Sequence, residues 1–123
     1  MAKSPSRIVP ALAALSGLIA VAAGAFAAHG ISDPHAKELL RTGAQYELAH
    51  ALAVFACVTL ARRGTHLAAI CLLAGATLFS WSLYALALGA AHIIGMMTPI
   101  GGLLMLAGWA IMAGAAMFGR GEP

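Results

Sequence analysis

Four apolar runs, set apart by short polar intervals, organise this chain. Ile8–Ala28 is apolar except for Pro10 near its start, Ser16 and two glycines. A helix needs about 20 apolar residues to cross the hydrocarbon core of a bilayer, so this run predicts a span. Lys3, Arg7 and the small residues Ala25-Phe26-Ala27 also imitate a cleavable secretory signal. The run outlasts a signal core of about 15 residues, and further apolar segments follow it, so an uncleaved first span over 8–28 is expected.

The interval from Ile31 to Glu47 is the most polar part of the chain, yet it keeps a helical period. Ser32 or Asp33 suits an N-cap and Pro34 a first helical turn. Leu39, Leu40, Gly43 and Ala44 share one face, and Lys37, Arg41 and Gln45 share another. This predicts an amphipathic helix over about 33–47 lying at the membrane surface, joined by a bend to a second span over 44–61. Arg62-Arg63-Gly64-Thr65-His66 reads as a basic turn that reverses the chain. A third span follows over 67–89, and the last one opens at Thr98-Pro99 and covers 98–118. Connections this short permit only antiparallel neighbours. The fold class expected is therefore all-α: an integral-membrane four-helix up-down bundle in a single domain of 123 residues.

Composition agrees with lipid as the main solvent. Apolar residues make up 62% and charged residues 9%, where a soluble domain carries roughly 25% charged residues. Mean hydropathy is +0.92. With four spans, Lys3, Arg7, Arg62, Arg63 and Arg120 fall on one side and Lys37 and Arg41 on the other. The positive-inside rule then places both termini in the cytoplasm and the polar interval outside, in a bacterial inner membrane. The pI of 9.3 reflects this asymmetry. The cations are dispersed among short turns, so nucleic acid is not an expected partner. Cys57 and Cys71 flank the basic turn from within two spans and read as small apolar residues, not a disulfide or redox pair.

Polar groups inside a span are costly and therefore single themselves out. His29 ends the first span, Tyr46, Glu47 and His50 open the second, Thr77, Ser80 and Tyr84 form a stripe on the third, and Thr98 opens the fourth. Helical spacing puts Tyr46 and Glu47 each within reach of His50. Topology brings the outer ends of the spans together, so His29, Tyr46, Glu47, His50, Ser80, Tyr84 and Thr98 form a candidate polar site inside the bundle. The competing reading is that these groups serve as interhelical hydrogen-bonding glue, and it takes precedence because satisfied polar groups outnumber ligand sites. His29 with His50 and Glu47 lack a metal- or haem-binding spacing, and His92 with Met96 four residues on and Met97, which could suggest a soft copper site, read more simply as an interfacial histidine and gap-filling methionines, so no metal and no cofactor is expected. Gly17 and Gly24 on the first span and Gly101 and Gly108 on the fourth mark faces for close helix packing. Trp81 and Trp109 lie well inside their spans, as packing residues whose indole N–H groups need partners.

Four ordered motifs carry a family resemblance: Gly24-Ala25-Phe26-Ala27-Ala28-His29; Thr42-Gly43-Ala44-Gln45-Tyr46-Glu47 with His50-Ala51-Leu52-Ala53; Leu78-Phe79-Ser80-Trp81-Ser82-Leu83-Tyr84; and Thr98-Pro99-Ile100-Gly101-Gly102 with Gly108-Trp109. Together they resemble the domain of unknown function 423 family, small inner-membrane proteins related to the mitochondrial transmembrane protein 256. Ala27 and Trp81 stand where the family pattern has glycine. The resemblance implies a four-helix integral membrane protein and supplies no activity. With no nucleophile–base pair, phosphate loop or metal motif, an enzyme is not expected. A non-catalytic accessory, assembly or lipid-interacting subunit is the first expectation, with the lipid bilayer and a larger membrane complex or a homo-oligomer as partners. The alternative is a small proton-coupled carrier acting as a homo-oligomer, against which stands the lack of an acidic residue near the middle of any span.

Overall fold

The computed structural model describes residues 7–121, and all long elements among them are helices. Lys3, assigned above to the cytoplasmic side, and the end of the polar tail at Glu122 and Pro123 lie outside the described residues. Helix α1 covers Ile8–His29 and tolerates Pro10 because its first turn lacks intrahelical N–H bonds anyway. Gly30 ends it, donating its N–H to Phe26 at 2.7 Å. Helix α2 covers Pro34–Leu60. Asp33 caps it, its carboxylate accepting from the Ala36 N–H at 2.9 Å, and Pro34 occupies the first turn.

The expected division into a surface helix and a separate second span is corrected here: α2 is one helix of 27 residues. Lys37, Glu38 and Arg41 occupy its first two turns and the apolar stretch continues from them without a break. Nothing in the sequence stops the helix between the two halves, since Gly43 costs only about 1 kcal/mol relative to Ala. The helix ends where Ala61 turns left-handed, at φ 48°, and Gly64 follows at φ 97°, a conformation that favours glycine. Helix α3 runs over Thr65–Ala87, and a 3-10 turn over His92–Met96 leads directly into α4, Met97–Phe118. Among the described residues three segments are long and apolar enough to cross a membrane: α1, α3, and the run His92–Phe118.

Helix α1 packs mainly on α2, α2 on α3, and α3 on α4. The core where they meet is built from small residues, Ala13 of α1, Ala53 and Cys57 of α2, and Ala68 and Ala69 of α3, around Val54 and Leu72. Small side chains let helix backbones approach, which is where van der Waals packing is gained in an apolar solvent. The α3–α4 contact is closest. A Cβ on Gly101 would stand 2.5 Å from the Phe79 nitrogen, and one on Gly108 2.7 Å from Leu72. A Cβ on Gly24 would meet the Ala44 methyl at an ordinary 3.8 Å. At Gly17, expected on a packing face, an added Cβ would instead meet nothing within 4 Å: α1 turns Ala13, Ser16 and Ala20 inward and leaves that position beside open space. Leu18, Leu103, Leu106 and Phe118 are each more than two-thirds exposed, a surface suited to lipid and not to water.

Candidate functional site

Residue 47 is the midpoint of α2, and Glu47 there is wholly buried. Its carboxylate is held by two neighbouring helices. Oε2 accepts from the Ser16 hydroxyl of α1 at 2.8 Å and from the Trp81 indole N–H of α3 at 3.1 Å, and Oε1 accepts from the Tyr84 hydroxyl at 2.8 Å. Among the described residues the one ion pair is Arg41–Glu38 at the exposed start of α2, so the Glu47 carboxylate is balanced by dipoles and not by a cation. Gly43 makes the Tyr84 contact possible. It lies one turn before Glu47, and a Cβ there would stand 2.6 Å from Tyr84 Cε1.

One turn further along α2, His50 ties in the fourth helix. Its Nε2 lies 3.0 Å from the Trp109 indole nitrogen, and its Nδ1 lies 2.7 Å from the Tyr46 carbonyl oxygen. An indole N–H only donates and a carbonyl only accepts, so Nε2 is the bare nitrogen and Nδ1 carries the proton. The two contacts hold the ring as the neutral Nδ1–H tautomer. Tyr46 stacks on it at 6.0 Å between ring centroids and also meets Phe79 at 4.7 Å.

Of the sequence-predicted set, then, Tyr46, Glu47, His50 and Tyr84 come together. Thr98 belongs to a separate pair with Ser82, Oγ to Oγ at 2.6 Å; Ser82 donates its own proton to the Phe79 carbonyl, so Thr98 is the donor. Ser80 is fully buried, its hydroxyl without a hydrogen-bond partner among the described residues. His29 does not join the site: it ends α1 on the exposed surface. Ser16, Trp81 and Trp109 were not among the predicted site residues. Ser16 is the single hydroxyl of α1, and both indoles were expected to need partners; these signals sit in the sequence, but helix rotation decides whom they meet. No group of three His, Cys, Asp or Glu side chains that could hold a metal occurs among the described residues.

Trp81 also faces a groove. α1 and α4 stand apart across α3, leaving a cavity of about 760 Å³ lined by Leu12, Leu73, Thr77, Trp81, Met97 and Leu104 among others. Its walls follow α3 from Ile70 to Ala85, about 22 Å at the helical rise. The site thus has two parts: a hydrogen-bonded node in which Glu47 and His50 are held by protein groups, and an apolar groove whose floor shares Trp81 with that node.

A family model described as a protein of unknown function, DUF423, matches residues 23–102. A UPF0382 membrane protein of Haemophilus influenzae is 45% identical over 108 residues, covering 83% of this chain and 87% of the relative. The UPF0382 inner membrane protein YgdD of Escherichia coli K12 is 40% identical over 114 residues, 87% of each. The UPF0382 membrane protein YwdK of Bacillus subtilis is 35% identical over 114 residues, 86% of this chain and 93% of the relative. No solved structure matches.

Proposed function

The chain belongs to the DUF423 (UPF0382) family of membrane proteins, whose function is unknown, and from that premise we propose a non-catalytic, lipid-interacting subunit of the bacterial inner membrane that holds an acyl chain in the groove between α1 and α4. The observation that carries this reading is the groove itself. Its volume of about 760 Å³ falls within the roughly 300–1,000 Å³ of ordinary ligand sites, and its lining is almost wholly apolar. The Glu47 node supports a structural role beside it. All three donors come from the protein, so the carboxylate acts as a clasp on α1 and α3 and keeps the groove floor fixed.

In this reading all four helices cross the membrane in up-down order, with both termini cytoplasmic. α2 is the most polar of them, but it packs between two helices long and apolar enough to cross, and beyond its first two turns Glu47 is its one charged residue. An intramembrane carboxylate buried in protein and satisfied by neighbouring helices fits such a span.

The test is the lipid that the protein retains. Native mass spectrometry of protein gently extracted from its own membranes should show a lipid adduct assigned to the groove. Ala74→Phe, placed on the exposed groove lining, should remove that adduct and leave folding intact. An unliganded wild type, or an adduct indifferent to Ala74→Phe, would sink the reading. A proton-coupled carrier is the second reading, and Glu47 favours it by supplying the mid-helix carboxyl that such a carrier needs. That reading requires Glu47→Gln to abolish uptake in reconstituted vesicles.

A further inference from the structure

At the end of the molecule remote from the polar node, the segment after α4 folds back over the turn between α2 and α3. The Arg63 N–H donates to the Arg120 carbonyl at 2.8 Å, and Arg62 and Gly121 form an antiparallel bridge. The Arg62 side chain is used locally: its guanidinium donates to the Ala116 carbonyl at 2.6 Å, near the negative C-terminal end of α4. Arg63 and Arg120 are used differently. Both are exposed, and both line a cleft of about 380 Å³ shared with Ile111, Gly114 and Phe118. Among the described residues neither is in an ion pair.

Two further features suit this cleft to an anion with an apolar tail. α3 begins at its rim with Gly64 as N-cap and no side-chain cap, so the positive end of a 23-residue helix adds to the two guanidinium groups. Below them, Gly114 has nothing within 4 Å of where a Cβ would stand, and Phe118 is four-fifths exposed. Arginine gives phosphate charge-assisted hydrogen bonds, and the slot over Gly114 is open to a hydrocarbon chain.

We propose that this cleft binds the phosphate headgroup of an anionic glycerophospholipid, held between Arg63 and Arg120 with one acyl chain lying over Gly114. The site is independent of the groove between α1 and α4, which contains no arginine. A basic cleft between helix ends at the membrane boundary is where headgroup recognition of this kind takes place.

The experiment offers purified protein equal amounts of phosphatidylglycerol and phosphatidylcholine with matched chains and measures retained lipid by native mass spectrometry. With the groove closed by Ala74→Phe, the protein should retain phosphatidylglycerol at least fivefold over phosphatidylcholine, and the variants below are read in that background. Arg63→Gln with Arg120→Gln should bring the ratio to about one. Each single change should give an intermediate ratio, since the main-chain tie between the two segments survives it. Gly114→Leu, which alters no charge, should lower phosphatidylglycerol retention by filling the slot. Lys37→Gln with Arg41→Gln, on the opposite end, should leave the ratio unchanged. The proposal fails if the double arginine variant keeps the ratio of that background, or if the Lys37 and Arg41 changes lower it as much. It also fails if inorganic phosphate displaces the lipid at equal concentration, which would identify a free anion as the ligand. Loss of the groove adduct in Ala74→Phe with the headgroup preference retained separates the two sites.

Discussion

Replacing Glu47 by leucine removes the acceptor shared by Ser16, Trp81 and Tyr84 while keeping a side chain of similar bulk. Three interhelical hydrogen bonds at about 0.6 to 1.7 kcal/mol each in a membrane protein amount to about 2 to 5 kcal/mol. The lower half of that range is expected, because the buried Ser16 hydroxyl can turn back to a carbonyl of its own helix and recover part of the loss. Glutamine is the control. Its amide oxygen can still accept from Ser16 and Trp81, and its NH₂ can donate to the Tyr84 oxygen, which accepts as readily as it donates. Glu47→Gln should therefore cost under about 1 kcal/mol and Glu47→Leu about 3, a difference of about 2 kcal/mol or more, at least about thirtyfold in the folding equilibrium. Reversible unfolding by detergent titration in mixed micelles, followed by circular dichroism, measures both. Equal losses for the two variants would refute the hydrogen-bonding account and place the stabilisation in the charge, and no loss for Glu47→Leu would show that the node holds nothing together.

The close approach of α3 and α4 makes Gly101→Ala destabilising by about 1–3 kcal/mol, because the new methyl meets backbone atoms of Gly75 and Phe79 that cannot swing aside. Gly17→Ala, which meets nothing, should instead raise stability by up to about 1 kcal/mol through helix propensity, and the same unfolding titration reads both. Nitrogen-15 spectra of histidine-labelled protein should show His50 as the neutral Nδ1–H tautomer, and Trp109→Phe should change its Nε2 signal; a wild-type ring protonated at Nε2 would contradict the Trp109 contact.

Local features of the fold were legible in the sequence because they depend on near neighbours. Asp33-Pro34 starts α2 by capping chemistry, and the left-handed turn at Gly64 follows from the Arg62-Arg63-Gly64 punctuation. Helical spacing alone placed Tyr46, Glu47 and His50 together. Their partners were less legible, since which face of one helix meets which face of another depends on rotations that no single-helix pattern records. Thr77, Ser80 and Tyr84 share a stripe, yet only Tyr84 reaches Glu47, and it is joined by Trp81, three residues away on the same helix. His29 was assigned to the site by its level along the bundle, whereas its direction around α1 takes it outward. The charges of Lys37, Glu38 and Arg41 suggested a separate surface helix, and that division concealed the central position of Glu47. Once α2 is a single helix, the missing mid-helix acid is present.

The Glu47 clasp lies inside a four-span bundle only if α2, the most polar of the four helices, crosses the membrane. In a Cys57→Ala, Cys71→Ala background, Lys37→Cys and Arg63→Cys flank that helix and can be labelled with a membrane-impermeant maleimide. The Lys37→Cys variant should react in intact spheroplasts and the Arg63→Cys variant only after lysis. Labelling of both from the same side would show that α2 does not span, and the four-span bundle with Glu47 as its clasp would fall with it.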